Sequence, residues 1–208
     1  MDDSLAITLL RHGLTKENEK HAYIGWSDVS LSLKGREQLG MCRSLMNNFD
    51  LYVCSDLKRC FETSEILFPN QPFEKWSSFR EMNFGEWEGK TFDELKEEER
   101  YQEWLTDFFS VHPPGGEGFN QFTERIDNGW RKLLDYLIKK DLNKALIISH
   151  GGVIRYLLSK FAPKEAGFWD WNIPHGTAFE LKWTEKKGRG EVRCTSLQEV
   201  TLTENPSG

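Results

Sequence analysis

Two near-continuous apolar runs, each ending in histidine and glycine, set the pattern of this chain. Leu5 to Leu10 (LAITLL) leads into Arg11-His12-Gly13, and Ala145 to Ser149 (ALIIS) leads into His150-Gly151-Gly152. Short runs of this kind, rich in Ile and Leu, read as strands buried on both faces of a parallel sheet. A third, Leu51 to Cys54, runs into Ser55-Asp56, residue types suited to capping a helix. Between the strands the period changes to three and four. Lys34 to Asn47 places Leu39, Cys42, Leu45 and Met46 on one face, and Asp56 to Phe68 does so with Leu57, Cys60, Phe61, Ser64 and Leu67. Phe119 to Ile138 repeats the pattern through Phe122, Ile126, Trp130, Leu133 and Leu137. A shorter helix is predicted from Gly152 to Phe161. Ala178 to Trp183 and Glu191 to Leu197 are predicted strands flanking a hairpin turn at Lys186 to Gly190. Strands alternating with helices predict a three-layer α/β/α domain with a mainly parallel central sheet. The polar, aromatic stretch Thr91 to His112, closed by Pro113-Pro114-Gly115-Gly116, interrupts the alternation. Two readings stand for it: the solvated face of a helix, or a helical lid over about 91–117.

Composition narrows the function. At 208 residues the chain suits one domain spanning 1–208, and its eight Trp and fourteen Phe supply a packed core. A net charge of -6 gives no general attraction for nucleic acid or an anionic membrane, so an anionic ligand must be held by a local cluster of cations. Cys42, Cys54, Cys60 and Cys194 form neither a C-x-x-C pair nor a zinc-like spacing and read as buried thiols in a reducing interior. The N-terminal apolar run is too short for a signal peptide, and no stretch approaches the roughly 18 apolar residues of a membrane span. The expectation is a soluble cytoplasmic protein with a small-molecule partner, no nucleic-acid or membrane partner, and a homodimer left open.

The strand ends carry the candidate chemistry. In open parallel sheets, ligands bind where strand carboxyl ends meet helix N-termini. If the two His-Gly strands are neighbours, His12, His150, Arg11 and Arg59 converge on one crevice, with backbone N–H groups near Gly13 and Gly151 free to donate to an anion. Such a set suits a phosphoryl group of about -1.5 to -2 charges. Each cation about 4 Å away contributes roughly 4 kcal/mol of gross attraction at an effective dielectric of 20, so two arginines and a protonated histidine could offset desolvation where one cation could not. The arginine fork grips two phosphate oxygens together. His21 and His112 lack any such context and read as ordinary histidines. A zinc site fails on ligand count, because no carboxylate or cysteine sits at ligand spacing from the histidines.

Several ordered motifs resemble the histidine phosphatase superfamily, also called phosphoglycerate mutase-like. Arg11-His12-Gly13 with Thr15 and Asn18 matches RHG-x-T-x-x-N. Gly25-Trp26-Ser27-Asp28 with Leu31 to Gly35, Ser55-Asp56-Leu57-Lys58-Arg59 through Thr63, Arg80-Glu81 through Gly89, and Ser149-His150-Gly151-Gly152 continue the resemblance in order. It implies the phosphoglycerate mutase-like fold and a metal-independent enzyme without a cofactor. His12 would be the nucleophile that forms a phosphohistidine. Arg11, Arg59 and His150 would hold the phosphoryl oxygens, Asn18 would help, and Gly151 would present its backbone. Glu81 would protonate the leaving alcohol and then activate water. Three departures stand out: Leu14 where many members carry Glu, Phe79 and Met82 around Glu81, and Pro174-His175-Gly176-Thr177 where relatives often have an Asn-centred segment. His175 reads either as a support behind the site or as merely structural, with the structural reading favoured.

Hydrolysis of phosphate monoesters is the leading function. A cofactor-dependent phosphoglycerate mutase is the first alternative, disfavoured because Asp93 to Glu103 is acidic where a mutase needs cations for the substrate carboxylate. A non-catalytic phospho-ligand-binding module needs neither His12 nor Glu81. The Phe84 to Gly89 and Gly116-Glu117 segments look most like the small phosphatase branch, which includes alpha-ribazole phosphatases.

Overall fold

Strand β1 (Leu5–Arg11) lies inside a six-stranded sheet, and its neighbours come from distant parts of the chain. β4 (Lys144–Ser149) pairs with it in parallel on one side, and β2 (Leu51–Cys54) pairs with β4, so the chain leaves a slot between its first two strands that the fourth fills. The two-residue β3 (Glu74–Lys75) extends the parallel part, while β5 (Thr177–Trp183) and β6 (Ser196–Thr201) add antiparallel strands beyond β1. This computed structural model describes residues 4–41, 48–184 and 190–201.

The strands alternate their side chains between two layers of helix. Leu5, Ile7, Leu9, Val53 and Ile147 face α6 (Phe119–Lys140) and α7 (Gly151–Phe161), meeting Phe122, Ile126, Leu133, Ile154 and Leu157. Leu10, Tyr52, Cys54, Leu146 and Ile148 face the other layer, α2 (Leu33–Met41) and α3 (Lys58–Leu67), through Leu39, Cys60 and Leu67. The architecture is therefore α/β/α with a mixed, mainly parallel sheet.

Some boundaries differ from the sequence reading, each for a physical reason. Asp56 does not cap α3. Its carboxylate takes two bonds from Arg80, at 2.7 and 2.6 Å, and the helix starts after Leu57. The strand predicted over Glu191 to Leu197 does not form before Ser196, since groups of this stretch and of Gly190 are engaged elsewhere. Trp130 and Trp183 donate their indole N–H groups to Gly190 and Val192, and the Cys194 N–H goes to Phe161 at the end of α7. Pairing with β5 starts only at Ser196. Cys42, Leu45 and Met46, and the proposed turn at 186–189, lie outside the described residues.

The insertion folds as α4 (Phe92–Leu95) and α5 (Glu99–Thr106), after three very short elements: α1 (Lys16–Glu19) and single helical turns at Ser77–Phe79 and Gly85–Trp87. Its acids do form a solvated face, with Asp93 paired to Lys96 and Glu103 to Arg100. Its inner face buries Leu95, Tyr101 and Trp104 against Trp87. Among the described residues no helix is long and apolar enough to cross a membrane.

Candidate active site

Register brings the two histidines together. Arg11 stands level with Ser149, and Ile148 is level with Leu10 on one side and Cys54 on the other. The residues that follow, His12, His150 and Ser55, therefore emerge at one edge, and the His12 and His150 rings lie 5.1 Å apart. Both are buried. His12 Nδ1 lies 2.6 Å from the Gly13 carbonyl, which can only accept, so the ring proton sits on Nδ1 and the lone pair on Nε2. His150 has the opposite tautomer: Arg59 Nε donates to its Nδ1 at 3.2 Å, leaving Nε2–H as a donor. Burial, and then the charge of Arg59, hold both imidazoles well below the usual histidine range. Neutral rings stand where the sequence suggests a protonated histidine, and the fixed positive charge of the crevice comes from the arginines.

Arg59 in the first turn of α3 is fully buried. Two of its five N–H groups go to the carbonyls of Ser27 and Gly25, at 2.9 and 2.7 Å, and one to His150. The remaining two can meet a phosphoryl group. Thr63, one turn on, accepts the Gly13 N–H at 3.1 Å and ties this helix to the His12 loop. Arg11 donates Nη1 to the Ile173 carbonyl, and its buried Nε has no partner among the described residues. Burial pulls Arg11 down to about 10, against the opposing field of Glu81. Both guanidiniums stay charged at neutral pH.

Glu81 reaches the same crevice from the loop after β3. Its carboxylate accepts the Met82 N–H at 3.0 Å and the Gly152 N–H, in the first turn of α7, at 2.8 Å. Both glycines let these side chains come close: a Cβ on Gly152 would lie 2.3 Å from Glu81 Oε1 and force the carboxylate to shift, and one on Gly151 would press on the Arg11 guanidinium at 3.3 Å. Asn18 is partly committed elsewhere. Its Oδ1 accepts from the Thr15 N–H in the capping box of α1, which leaves Nδ2 for an anion.

Three residues without an assigned role complete the site. Arg125 of α6 donates to the carbonyls of Ser78, Arg80 and Glu81 at 3.0–3.1 Å while bound to Glu117, so it fixes the Glu81 loop. Glu88 accepts the N–H groups of Gly25, Trp26, Ser27 and Phe84 and fixes the loop behind Arg59. Its place in a Trp-Glu-Gly motif is a signal for it; nothing in the local sequence marks Arg125. His175 also belongs here, its ring 5.4 Å from His12, although it reads as structural in the sequence. His112 lies against the Pro113 carbonyl, and His21 sits in the left-handed region at a turn. Among the described residues no group of three or more His, Cys, Asp or Glu side chains is placed to hold a metal ion. Cys54, Cys60 and Cys194 are free and buried.

Residues 7–194 match the sequence model of the histidine phosphatase superfamily (branch 1). The chain belongs to this family. The adenosylcobalamin/alpha-ribazole phosphatase of Escherichia coli (strain K12) is 29% identical over 180 residues, covering 83% of this chain and 87% of that protein. A 2,3-bisphosphoglycerate-dependent phosphoglycerate mutase of Cytophaga hutchinsonii is 28% identical over 209 residues, covering 94% and 96%. Among solved structures, an alpha-ribazole phosphatase from Shigella flexneri superposes with a TM-score of 0.81 at 26% identity, covering 96% of both chains. The mixed sheet with helices on both faces is the phosphoglycerate mutase-like fold.

Neutral imidazoles give this histidine phosphatase a testable acid instability. His12, His150 and His175, the last pushed down to about 3 by burial and the two arginines, refuse protons in the fold that the unfolded chain accepts near pH 6.5. Their stability contribution is complete above pH 6.5 and is lost as pH falls below it. Each adds about 1.4 kcal/mol per pH unit of slope, about 4 for all three. Urea unfolding between pH 7 and pH 5 should show this decline. A flat profile would contradict neutral histidines.

Proposed function

We propose that the protein hydrolyses phosphate monoesters through a phosphohistidine on His12, and that the alcohol released has a flat apolar body. The observation that carries the reading is a buried neutral imidazole with Nε2 free, between two buried arginines, beside a carboxylate that opens onto an aromatic cavity. His12 Nε2 attacks phosphorus, the bond to the ester oxygen breaks, and Glu81 gives its proton to the leaving alkoxide. Water then attacks the phosphohistidine, Glu81 takes its proton, and inorganic phosphate leaves with His12 restored. Arg11, Arg59 and His150 Nε2–H hold the equatorial oxygens, where charge is spread in the transition state. Asn18 Nδ2 and the backbone of Gly151 assist at the rim.

Glu81 and Gly152 line a cavity of about 390 Å³ whose walls include Tyr23, Phe84, Trp104, Phe108, Phe168 and Trp169. The 91–117 segment supplies Trp104, Leu105 and Phe108 to this lining. Among the described residues Arg155 is the one cation in that lining. It is partly engaged, donating Nε to the Trp171 carbonyl at 3.1 Å and packing 5.7 Å from the Trp169 ring. A phosphoglycerate would bring a second anionic group into a space built for rings, which favours hydrolysis over mutase transfer.

The test is a panel of monoesters with phosphate release as the readout. Aryl-bearing alcohol phosphates, alpha-ribazole phosphate among them after the relatives' name, should exceed glycerol phosphate in kcat/KM by at least about tenfold, the equivalent of roughly 1.4 kcal/mol from ring burial. In the same assay 3-phosphoglycerate with a trace of the 2,3-bisphosphate should give no isomer exchange faster than phosphate release. Rapid exchange would overturn the reading.

A further inference from the structure

His175 is held over the nucleophile by a built turn. The Thr177 N–H bonds back to the Pro174 carbonyl at 3.3 Å, and Gly176 at the third position has φ +70°, as a type II turn requires. Two arginines of the site fasten the approach to this turn, Arg155 at the Trp171 carbonyl and Arg11 at the Ile173 carbonyl. The ring that results stands edge-on to His12, 67° from its plane. Among the described residues, neither the buried His175 Nε2 nor the buried Arg11 Nε has a hydrogen-bond partner. A buried polar atom left unpaired costs folding free energy, and a phenyl ring would pack in this position without that cost. An oxygen brought there during the reaction would satisfy both atoms.

We infer that His175 is a third histidine of the phosphoryl site, its Nε2–H donating to a peripheral phosphoryl oxygen as phosphorus moves toward His12. The inference rests on the phosphatase reading above and adds a catalytic contact to it. Burial and the neighbouring arginines keep this ring uncharged, so it supplies a donor without adding a cation. No proton leaves His175 in the step.

The experiment compares His175→Phe, which keeps the ring and removes the donor, with His175→Gln, whose amide N–H restores one at nearly the same reach. Phosphorylation of His12 is followed in a single turnover, together with inhibition by orthovanadate, which copies the five-coordinate transition state. His175→Phe should slow phosphoryl transfer by about 10- to 100-fold and weaken vanadate inhibition by a comparable factor, with its urea midpoint held or raised. His175→Gln should recover most of both losses. A role in shaping the turn alone would lower the urea midpoint of both variants and leave vanadate affinity untouched. Wild-type vanadate affinity and transfer rate in His175→Phe would overturn the inference, as would a Gln variant no better than Phe. Failure of the wild-type protein to form any phosphohistidine would instead strike the phosphatase reading itself.

Discussion

Glu81→Gln should slow hydrolysis of alkyl phosphates by roughly two to four orders of magnitude, the usual scale for general acid-base catalysis. The two steps assigned to Glu81 make the defect dependent on the leaving group. An alkoxide departs poorly without a proton, whereas an activated aryl oxide needs little help, so phosphorylation by an aryl phosphate should suffer less. Hydrolysis of the phosphohistidine still needs a base. The variant should therefore release about one equivalent of aryl alcohol in a burst and then turn over slowly. Gln has one acceptor where Glu offers two, and both carboxylate oxygens here accept a backbone N–H, from Met82 and Gly152. One of those donors loses its partner, at about 1 kcal/mol of stability, which a urea titration separates from the kinetic loss. Equal losses in single-turnover transfer for both ester types would refute Glu81 as the acid.

The two His-Gly strand ends are legible in the sequence because parallel strands buried on both faces leave continuous apolar runs, and the glycines mark where a helix begins against a ligand. The 22-residue α6 is legible for a similar reason, its apolar face recurring from Phe122 to Leu137. What local pattern does not carry is partnership between distant segments. Asp56 has the chemistry of a cap and is drawn away by Arg80, 24 residues on. Residues 190–194 have strand-compatible composition, yet they satisfy the indoles of Trp130 and Trp183 and the end of α7. His175 has no flanking motif, and only the β5–β1 pairing brings its turn to His12. The protonation of the histidines is likewise a property of the assembled site. Imidazole beside a phosphate suggests a cation, but burial and the guanidinium of Arg59 make His12 and His150 neutral. That neutrality is what a nucleophile needs, since a protonated His12 has no lone pair on Nε2.

The account as a whole depends on a covalent bond between phosphorus and His12. Removing that imidazole should abolish turnover, because Arg11, Arg59 and His150 can bind a phosphate but none of them offers a free lone pair toward the crevice. His12→Ala should bind phosphate and vanadate weakly and release no measurable product, and its fold should survive the loss of one buried ring. The decisive measurement is a brief reaction with a phosphorus-labelled aryl monoester, quenched in base and digested. The label should sit on the peptide containing Arg11 to Lys16, in an acid-labile and base-stable bond, and be absent from His12→Ala. Label on any other residue, or normal turnover by His12→Ala, would contradict the mechanism.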